Sequence, residues 1–502
     1  MNGTSQDRPA GSFAAVVLCA LALVGLGLPA TGSAAAPAGR PPVVLIVMDE
    51  IPTVALMNRS GGISASRFPN FQRLSREGVW YRNHTTVAGL TRHSVPGILS
   101  GRFAEPGDPF ATVRNYPDTI FNRLRSSGYR VQAVESISQI CPRSICRSPA
   151  RRFLDPTRYS DSMAFQNAKV KQTWKQTRGG LVEWARGLKL EPGNFVFHHF
   201  LLPHHPYERL PSGQEYAAGP MPEIFSRDSP VITAPVGSVR LTYQRMMLQI
   251  GYLDRMIGVL RNQARRLGVW KSMMLVVVGD HGIELQTGRP FRTFQSDTAG
   301  SVAFTPLFVK YPGKLKGGVS NLPTRGIDVF PTIADVLGAA TPPTVDGEAI
   351  SQMSPGPRDV SVDGVTVPFS VAEQNRKEAV IFRDRLLGTG GLFRLGVAAH
   401  LIGRRVGGRP VARVRLDNAL RYRSLDPNAE SVPALISGTA PTRSSGEVVA
   451  VSVNGVIRGT AEIFKDRGRK RFGTIVNPRY FRQENEIGVH LVKHGRIIRR
   501  LK

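Results

Sequence analysis

Three stretches of the chain are nearly continuous runs of β-branched, aliphatic and aromatic residues, at 43–48, 194–202 and 273–278. This is the pattern of strands that are buried on both faces of a parallel sheet. Helical patterns lie between these runs, and the longest covers 239–267, where apolar residues mark one face. Because strand and helix signals alternate, we expect an α/β fold.

The pattern changes after about residue 350. Residues 351–368 are rich in Pro, Gly and Ser, which is typical of a linker. Apolar and polar residues alternate over 446–455 and end in Asn-Gly, a hairpin signal. We therefore predict four parts, with a small β-rich domain at the end: 1–40, 41–347, a linker at 348–380, and 381–502.

The first forty residues have the pattern of an export signal. A polar start with the single arginine Arg8 precedes an apolar run over 13–28 and a small-residue stretch over 29–36. The apolar run approaches the length that spans a bilayer, so retention as one N-terminal anchor is the alternative to cleavage. In both cases we expect an exported protein, either secreted or attached to the membrane by this segment.

The composition is that of a globular protein with an unusually basic surface. The chain has 502 residues, 41% of them hydrophobic, and a formal net charge of +29. Such a surface attracts polyanions: anionic lipid, envelope or cell-surface polymers, or nucleic acid. The sequence holds no zinc finger, RNP motif or basic region running into heptads, so no nucleic-acid partner is expected. The basic clusters at 465–471 and 493–502 are either solvated faces or a peripheral contact with an anionic membrane or wall polymer.

The cysteines agree with export. Cys19 lies in the predicted signal, which leaves only Cys141 and Cys146 in the rest of the chain. An even pair in an exported chain suggests a short disulfide loop, and the spacing differs from that of a redox CxxC motif. We predict a disulfide between Cys141 and Cys146.

Acidic residues and a histidine follow two of the predicted strands directly. Asp49 and Glu50 end the first strand, where α/β sheets place their ligands, although helix caps and loops also use carboxylates. Asp280 and His281 follow the third strand between two glycines, which let the backbone turn so that both side chains can point at one ion. An ordinary turn is the alternative for this pair, and we favour a metal site.

Imidazoles and guanidinium groups lie near the same predicted edge. His204 and His205 stand between prolines after the second strand, where packing does not require an imidazole. Arg289 and Arg292 follow the third strand and are candidates for binding an anion, or they belong to a solvated loop.

Thr91 opens a short predicted helix that Gly101 closes. A hydroxyl at this end of a helix lies among unpaired N–H groups and the positive end of the helix dipole, where a phosphate or sulfate group can be held. The alternative is that Thr91 is an ordinary N-cap. Arg92, the next residue, is a candidate for substrate binding.

These segments together resemble the sulfatase-like branch of the alkaline phosphatase superfamily over about residues 41–347. Each motif is weak alone, and their order and spacing carry the resemblance. The matching segments are Asp49-Glu50, Pro69-Asn70-Phe71, Thr91 with Leu99-Ser100-Gly101-Arg102, Pro203-His204-His205-Pro206-Tyr207, Asp280-His281-Gly282, Pro306-Leu307 with Pro312-Gly313, and Ile327-Asp328-Val329-Phe330-Pro331-Thr332.

The resemblance implies an alkaline-phosphatase-like sandwich around a mostly parallel sheet, and one divalent cation (Mn, Mg, Zn or Ca). Asp49, Asp280 and His281 match its ligands, and Thr91 matches the nucleophile, which completes the coordination. Glu50 matches a second acidic position that is a ligand only in some members. His204 or His205 would contact the oxyanion of the substrate or protonate the leaving group.

The sequence departs from authentic sulfatases at the nucleophile. Those enzymes carry Cys or Ser in a C/S-x-P-S-R motif and convert it to formylglycine, whereas Thr91 cannot be converted in this way and Val95 replaces the motif arginine. Threonine is used by phospho-directed members such as lipoteichoic acid synthases, phosphoethanolamine transferases and nucleotide pyrophosphatases. No further histidine follows His281 in its loop, so the second metal site of the two-zinc members is not expected.

Three hypotheses follow. The first is a metal-dependent phosphodiester or phosphoester hydrolase or phosphotransferase that acts on an anionic envelope polymer, a lipid or a similar extracellular ester. The second is a sulfatase proper with an unusual nucleophile. The third is an inactive polyanion-binding protein that keeps the fold.

Overall fold

The computed structural model describes residues 39–104, 111–135, 137–146, 180–216, 224, 230–406, 414–440, 447–493 and 495–497. The apolar run at 13–28 and Cys19 lie outside these residues. Among the described residues, no helix is both long enough and apolar enough to cross a membrane.

A seven-stranded sheet forms the centre of the molecule, in the order β3-β4-β1-β5-β6-β2-β7. Its strands pair in parallel except β6, which is antiparallel to both of its neighbours. The strands are β1 (Val43–Asp49), β2 (Val79–Tyr81), β3 (Arg130–Val134), β4 (Asn194–Pro203), β5 (Met274–Gly279), β6 (Leu307–Lys310) and β7 (Gly318–Ser320). The three predicted buried runs are therefore the adjacent strands β4, β1 and β5.

Helices cover both faces of this sheet. They are α1 (Thr53–Leu56), α2 (Pro69–Glu77), α3 (Thr91–Ser100), α4 (Ile120–Ser126), α5 (Gly180–Gly187), α6 (Val236–Arg266), α7 (Ala299–Val302), α8 (Val329–Leu337) and α9 (Phe369–Leu387). One apolar core joins the sheet to α2, α5 and the long helix α6, and a second core joins the opposite face to α3, α4 and α8. The α/β class expected from the alternating pattern, and the sandwich around a mostly parallel sheet that the resemblance implied, are confirmed.

The segment 348–380, which we predicted to be a linker, is structured. Strands β8 (Val360–Val362) and β9 (Val365–Val367) form a hairpin, and α9 begins at Phe369 and runs past the predicted boundary. Asn375 of α9 donates to Asp297 O at 2.7 Å and accepts from Gly300 N. The turn-forming composition belongs to this hairpin and its flanks, which pack against residues 294–304.

The C-terminal part consists of two four-stranded antiparallel sheets, β10-β11-β15-β14 and β13-β12-β16-β17. Their apolar faces share one core, to which Ile436, Phe472 and Val451 contribute. The strands are β10 (Arg415–Leu416), β11 (Leu435–Thr439), β12 (Val448–Val453), β13 (Val456–Glu462), β14 (Phe464–Asp466), β15 (Arg469–Ile475), β16 (Ile487–Lys493) and β17 (Arg496–Ile497). Short 3-10 helices lie at Gly326–Asp328, Ile350–Gln352, Ala399–Leu401, Ala419–Tyr422 and Pro478–Tyr480. This agrees with the β-rich character predicted for the C-terminus.

Candidate functional site

Strand register brings the first candidate residues together. Strand β1 pairs in parallel with β5, and Met48 lies opposite Gly279. The residues that follow them, Asp49 and Asp280, therefore emerge side by side at the carboxyl edge of the sheet. The helix α3 begins at the same edge with Thr91.

Thr91 is not a helix cap. The N-cap position belongs to Leu90, and Thr91 is the first residue within the helix. Its hydroxyl group instead faces two distant side chains, with Oγ1 3.2 Å from Asp49 Oδ1 and 3.1 Å from His281 Nε2. The side chain thus belongs to the cluster of acidic and imidazole groups at the sheet edge, and the N-cap alternative does not hold.

The ring of His281 is oriented by its own backbone. Nδ1 lies 3.0 Å from Gly282 O, so Nδ1 carries the proton and the lone pair of Nε2 points into the cluster. A side chain at Gly282 would place its Cβ 2.0 Å from Ser301 O, so only glycine fits this turn. These constraints hold the imidazole in the orientation that a metal ligand needs.

The carboxylates of the cluster are buried, and one oxygen of Asp280 lacks a hydrogen-bond donor. Asp280 Oδ1 accepts from the backbone N–H groups of Glu50 and His281, at 2.9 and 2.5 Å. Asp280 Oδ2 is buried and accepts no hydrogen bond from the described residues. Burial, together with the nearby Asp280 and Glu50, raises the pKa of Asp49 well above its usual range.

These residues fit a divalent cation. Donor atoms of Asp49, Asp280 and His281 lie within 4.8 Å of one another, and all three side chains are buried. Buried carboxylates that repel each other and lack donors are stabilised by a bound cation. Two carboxylates, an imidazole and the hydroxyl of Thr91 would hold it.

A second cluster forms around Glu50, whose backbone has a positive φ of 62°. Glu50 Oε2 lies 3.4 Å from His205 Nδ1, and Glu50 Oε1 accepts from Arg292 Nε at 2.8 Å. Burial alone would raise the pKa of Glu50, but the Arg292 guanidinium and the hydrogen bond from His205 outweigh it and lower the pKa well below its usual range. Glu50 therefore lies in this second cluster as a carboxylate paired with a cationic side chain.

The two histidines of this cluster differ in their hydrogen bonds. His204 Nδ1 donates to His205 O at 2.6 Å, and its Nε2 accepts from Arg292 Nη2 at 2.8 Å. Both ring nitrogens are thus engaged in the neutral form, and burial lowers the pKa of His204 well below its usual range. A cation at this cluster would have to displace the guanidinium of Arg292, so the arrangement suits an anion better than a second metal.

The structure separates the predicted arginines. Arg292 joins Glu50 and His204, whereas Arg289 lies 3.9 Å from both Glu284 Oε2 and Asp297 Oδ2 and serves its own loop. Arg289 is therefore not brought to the candidate site, and its assignment to substrate binding is not supported by this geometry. Arg92 is half-buried in the first turn of α3 and stays a predicted substrate contact.

Cys141 and Cys146 form a disulfide, with their Cα atoms 5.8 Å apart. The bond closes the short loop that their spacing suggested.

Sequence reasoning missed the hairpin of β8 and β9 beside the site. Its turn residue Asp363 accepts from Gly89 N at 2.9 Å, and Asp363 N donates to Val87 O. The hairpin is thus fastened to the loop that leads to Thr91. The sequence does contain a hairpin signal here, because Asp-Gly lies between two Val-x-Val segments and favours a two-residue hairpin turn.

The sequence of the chain matches a known protein family. A protein-family model described as Sulfatase matches residues 41–339. No curated protein sequence matches the chain.

Solved structures of several enzymes share a distant likeness with the chain. One is the phosphonate monoester hydrolase of Agrobacterium radiobacter, with 16% identity, a TM-score of 0.44, and coverage of 62% of this chain and 76% of that chain. Another is the phosphonate monoester hydrolase from Silicibacter pomeroyi, with 20% identity, a TM-score of 0.42, and coverage of 63% and 78%. A putative sulfatase from Bacteroides thetaiotaomicron VPI-5482 has 16% identity, a TM-score of 0.43, and coverage of 65% and 80%.

Proposed function

The chain belongs to the sulfatase family, whose model matches residues 41–339, and we propose that it is a metal-dependent phosphoester hydrolase or phosphotransferase with Thr91 as its nucleophile. The match confirms the family resemblance carried by the motifs, and with it a sulfatase-like hydrolase. Enzymes of this family use a divalent metal. The choice of phosphorus, the threonine nucleophile and the role of each side chain are our proposal.

The observation that carries the proposal is the position of the Thr91 hydroxyl. It lies within hydrogen-bond distance of Asp49 and His281, at the end of a helix where backbone N–H groups favour an anion. Threonine cannot become formylglycine, so the hydroxyl itself must act as the nucleophile. In the family, threonine at this position accompanies phosphoryl chemistry.

The proposed reaction has two steps. Thr91 loses its hydroxyl proton to solvent and its Oγ1 attacks phosphorus in line, so that an Oγ1–P bond forms while the bond from phosphorus to the leaving oxygen breaks. Asp49, Asp280 and His281 would hold a divalent cation, which would lower the pKa of the attacking hydroxyl and offset negative charge on the transferring group. Water or an acceptor alcohol then takes the phosphoryl group from Thr91 and restores its hydroxyl.

The second cluster supplies charge and a proton in this proposal. The guanidinium of Arg292, held by Glu50 and His204, stabilises the equatorial oxygens of the transferring group. His205 is the proton donor to the leaving oxygen, because both nitrogens of His204 are engaged in hydrogen bonds that require its neutral form.

The proposed substrate is an anionic ester outside the cytoplasm, such as an envelope polymer or a lipid. The net charge of +29 attracts such polyanions, and the disulfide between Cys141 and Cys146 supports an oxidising compartment. Export through the N-terminal segment, and peripheral contact of the basic surface with an anionic membrane, belong to the same proposal.

Sulfate-ester hydrolysis is the second candidate, because the family is named for it. One experiment separates the two. Purified protein is assayed with Mn, Mg, Zn or Ca on aryl phosphodiester, phosphomonoester and sulfate substrates, beside Thr91→Ala and Thr91→Ser. We expect phosphoester turnover that Thr91→Ala abolishes and Thr91→Ser partly keeps. Turnover of sulfate alone favours the sulfatase, and no turnover with any metal rejects both.

A further inference from the structure

Beside the loop that leads to Thr91 lies a pocket of about 320 Å³. Its wall includes Leu90, the residue directly before Thr91, and Arg292, which holds Glu50 in the candidate site. The pocket and the proposed reaction centre therefore share two segments of the chain, the start of α3 and the loop of Arg292. Leu90 and Arg292 thus link the wall of the pocket to the candidate site.

The pocket is predominantly apolar. Phe294 and Val362 are buried in its wall, and Val365, which is 48% exposed, stands at its rim. Its charged side chains are already bonded elsewhere, since Asp363 accepts from Gly89 N and Arg292 donates to Glu50. Pockets of this size with apolar walls and few polar groups are typical of sites for small organic groups.

Part of the wall comes from outside the segment matched by the family model. Val362, Asp363 and Val365 belong to the β8–β9 hairpin, whereas the match ends at residue 339. The Asp363 contacts to Gly89 and Val87 fix the hairpin over the loop before α3. The hairpin thus adds an apolar wall next to the reaction centre.

From this arrangement we propose that the pocket binds an apolar aryl or short alkyl substituent of the ester that Thr91 attacks. This inference rests on the proposed function, because the substituent is placed by its bond to the reacting phosphorus. At about 30 Å³ for each water-sized group, the volume has room for about ten such groups, enough for a ring or a short chain. Burial of that substituent removes apolar surface of the substrate and of the pocket from water. This favours the binding of substrates that carry the substituent.

The test compares the binding of phenylphosphonate and methylphosphonate to the Mn²⁺-supplemented protein by titration calorimetry. We expect phenylphosphonate to bind at least tenfold more tightly. Val365→Asn reduces this preference at least threefold, because it places an amide at the pocket rim without changing the charge. Val319→Asn changes another exposed valine, 53% accessible in β7, and is expected to leave the preference unchanged.

Equal affinity for the two phosphonates, or no binding of either, overturns the pocket assignment. A preference that Val365→Asn and Val319→Asn reduce alike also overturns it. These outcomes are independent of catalysis. Thr91-dependent turnover without a phenyl preference rejects the pocket alone, whereas a Val365-dependent preference without turnover rejects the proposed reaction and keeps the binding site.

Discussion

Thr91 Oγ1 lies 3.1 Å from His281 Nε2, although 190 residues separate the two in sequence. The contact exists because α3 begins beside the carboxyl end of β5, and because Gly282 O fixes the tautomer of His281. It places a hydroxyl, an imidazole and the carboxylate of Asp49 around one point. The proposed cation site and the proposed nucleophile both depend on this arrangement.

Asp280→Asn is expected to lower cation affinity by about 10- to 100-fold or more, since it removes a charge while keeping the side-chain shape. The amount of bound metal after dialysis, measured by elemental mass spectrometry, should fall together with enzymatic activity. Asp254→Asn is the matched control, because Asp254 is also buried but bonds Asn70 and Phe71 in α2. Equal metal content in Asp280→Asn and native protein would contradict the assignment.

His205→Gln is expected to slow esters with poor leaving groups by about a hundredfold and to affect good leaving groups little. The reason is that a good leaving oxygen needs no proton. His204→Gln should slow both substrate types alike, because His204 acts through its contact with Arg292. The check is a plot of rate against leaving-group pKa for both variants. An unchanged slope for His205→Gln would remove it from the role of acid.

Arg292→Met is expected to lower the free energy of unfolding by about 3 kcal/mol, because it removes the guanidinium partner of the buried Glu50 carboxylate. Adding Glu50→Gln should recover part of that loss. The exposed pair Arg186–Glu183 gives the comparison, where Arg186→Met should cost less than about 1 kcal/mol. Urea unfolding in the presence of a chelator gives the free energy of unfolding of the native protein and of the three variants. Equal losses of this free energy in Arg292→Met and Arg186→Met would show that the buried pair is not more stabilising than the exposed one.

Glu284→Gln tests a buried acid outside both clusters. Burial raises the pKa of Glu284 from 4.5 to about 7. Between these values the folded protein holds a proton that the unfolded chain releases, so native stability falls as pH rises, by at most about 1.4 kcal/mol per pH unit. Glu284→Gln has no carboxyl group at this position, so its stability does not fall with rising pH for this reason.

The unfolding free energy of Glu284→Gln relative to the native protein should therefore increase from pH 5 to pH 7. Urea unfolding in the presence of a chelator gives the difference without a contribution from metal binding. A difference that stays constant over this range would show that the pKa of Glu284 is not raised.

The sheet and the grouping of the candidate cation ligands could be predicted because their signals are local. Strands β1 and β5 are uninterrupted apolar runs, and a parallel sheet necessarily brings the residues after them, Asp49 and Asp280, to one edge. The position of Thr91 needed the family motifs as well, because a threonine before a helix is more often a cap.

The roles of the arginines could not be predicted in this way. Arg289 and Arg292 lie in one loop without a periodic pattern. Arg289 contacts acidic residues of that loop, whereas Arg292 contacts Glu50, which lies 242 residues away in sequence. The same holds for the position of the β8–β9 hairpin. Its turn is readable from Asp363, but its contact with Gly89 is not.

In the proposed reaction, Thr91 carries the phosphoryl group during turnover. The most direct measurement is an acid quench during steady-state turnover of an aryl phosphodiester, followed by peptide mapping with fragment mass spectrometry. We predict a phosphorylated Thr91, absent from Thr91→Ala and from protein quenched before substrate is added. Full turnover with no modification at Thr91, or with the phosphoryl group on another residue, would contradict the account.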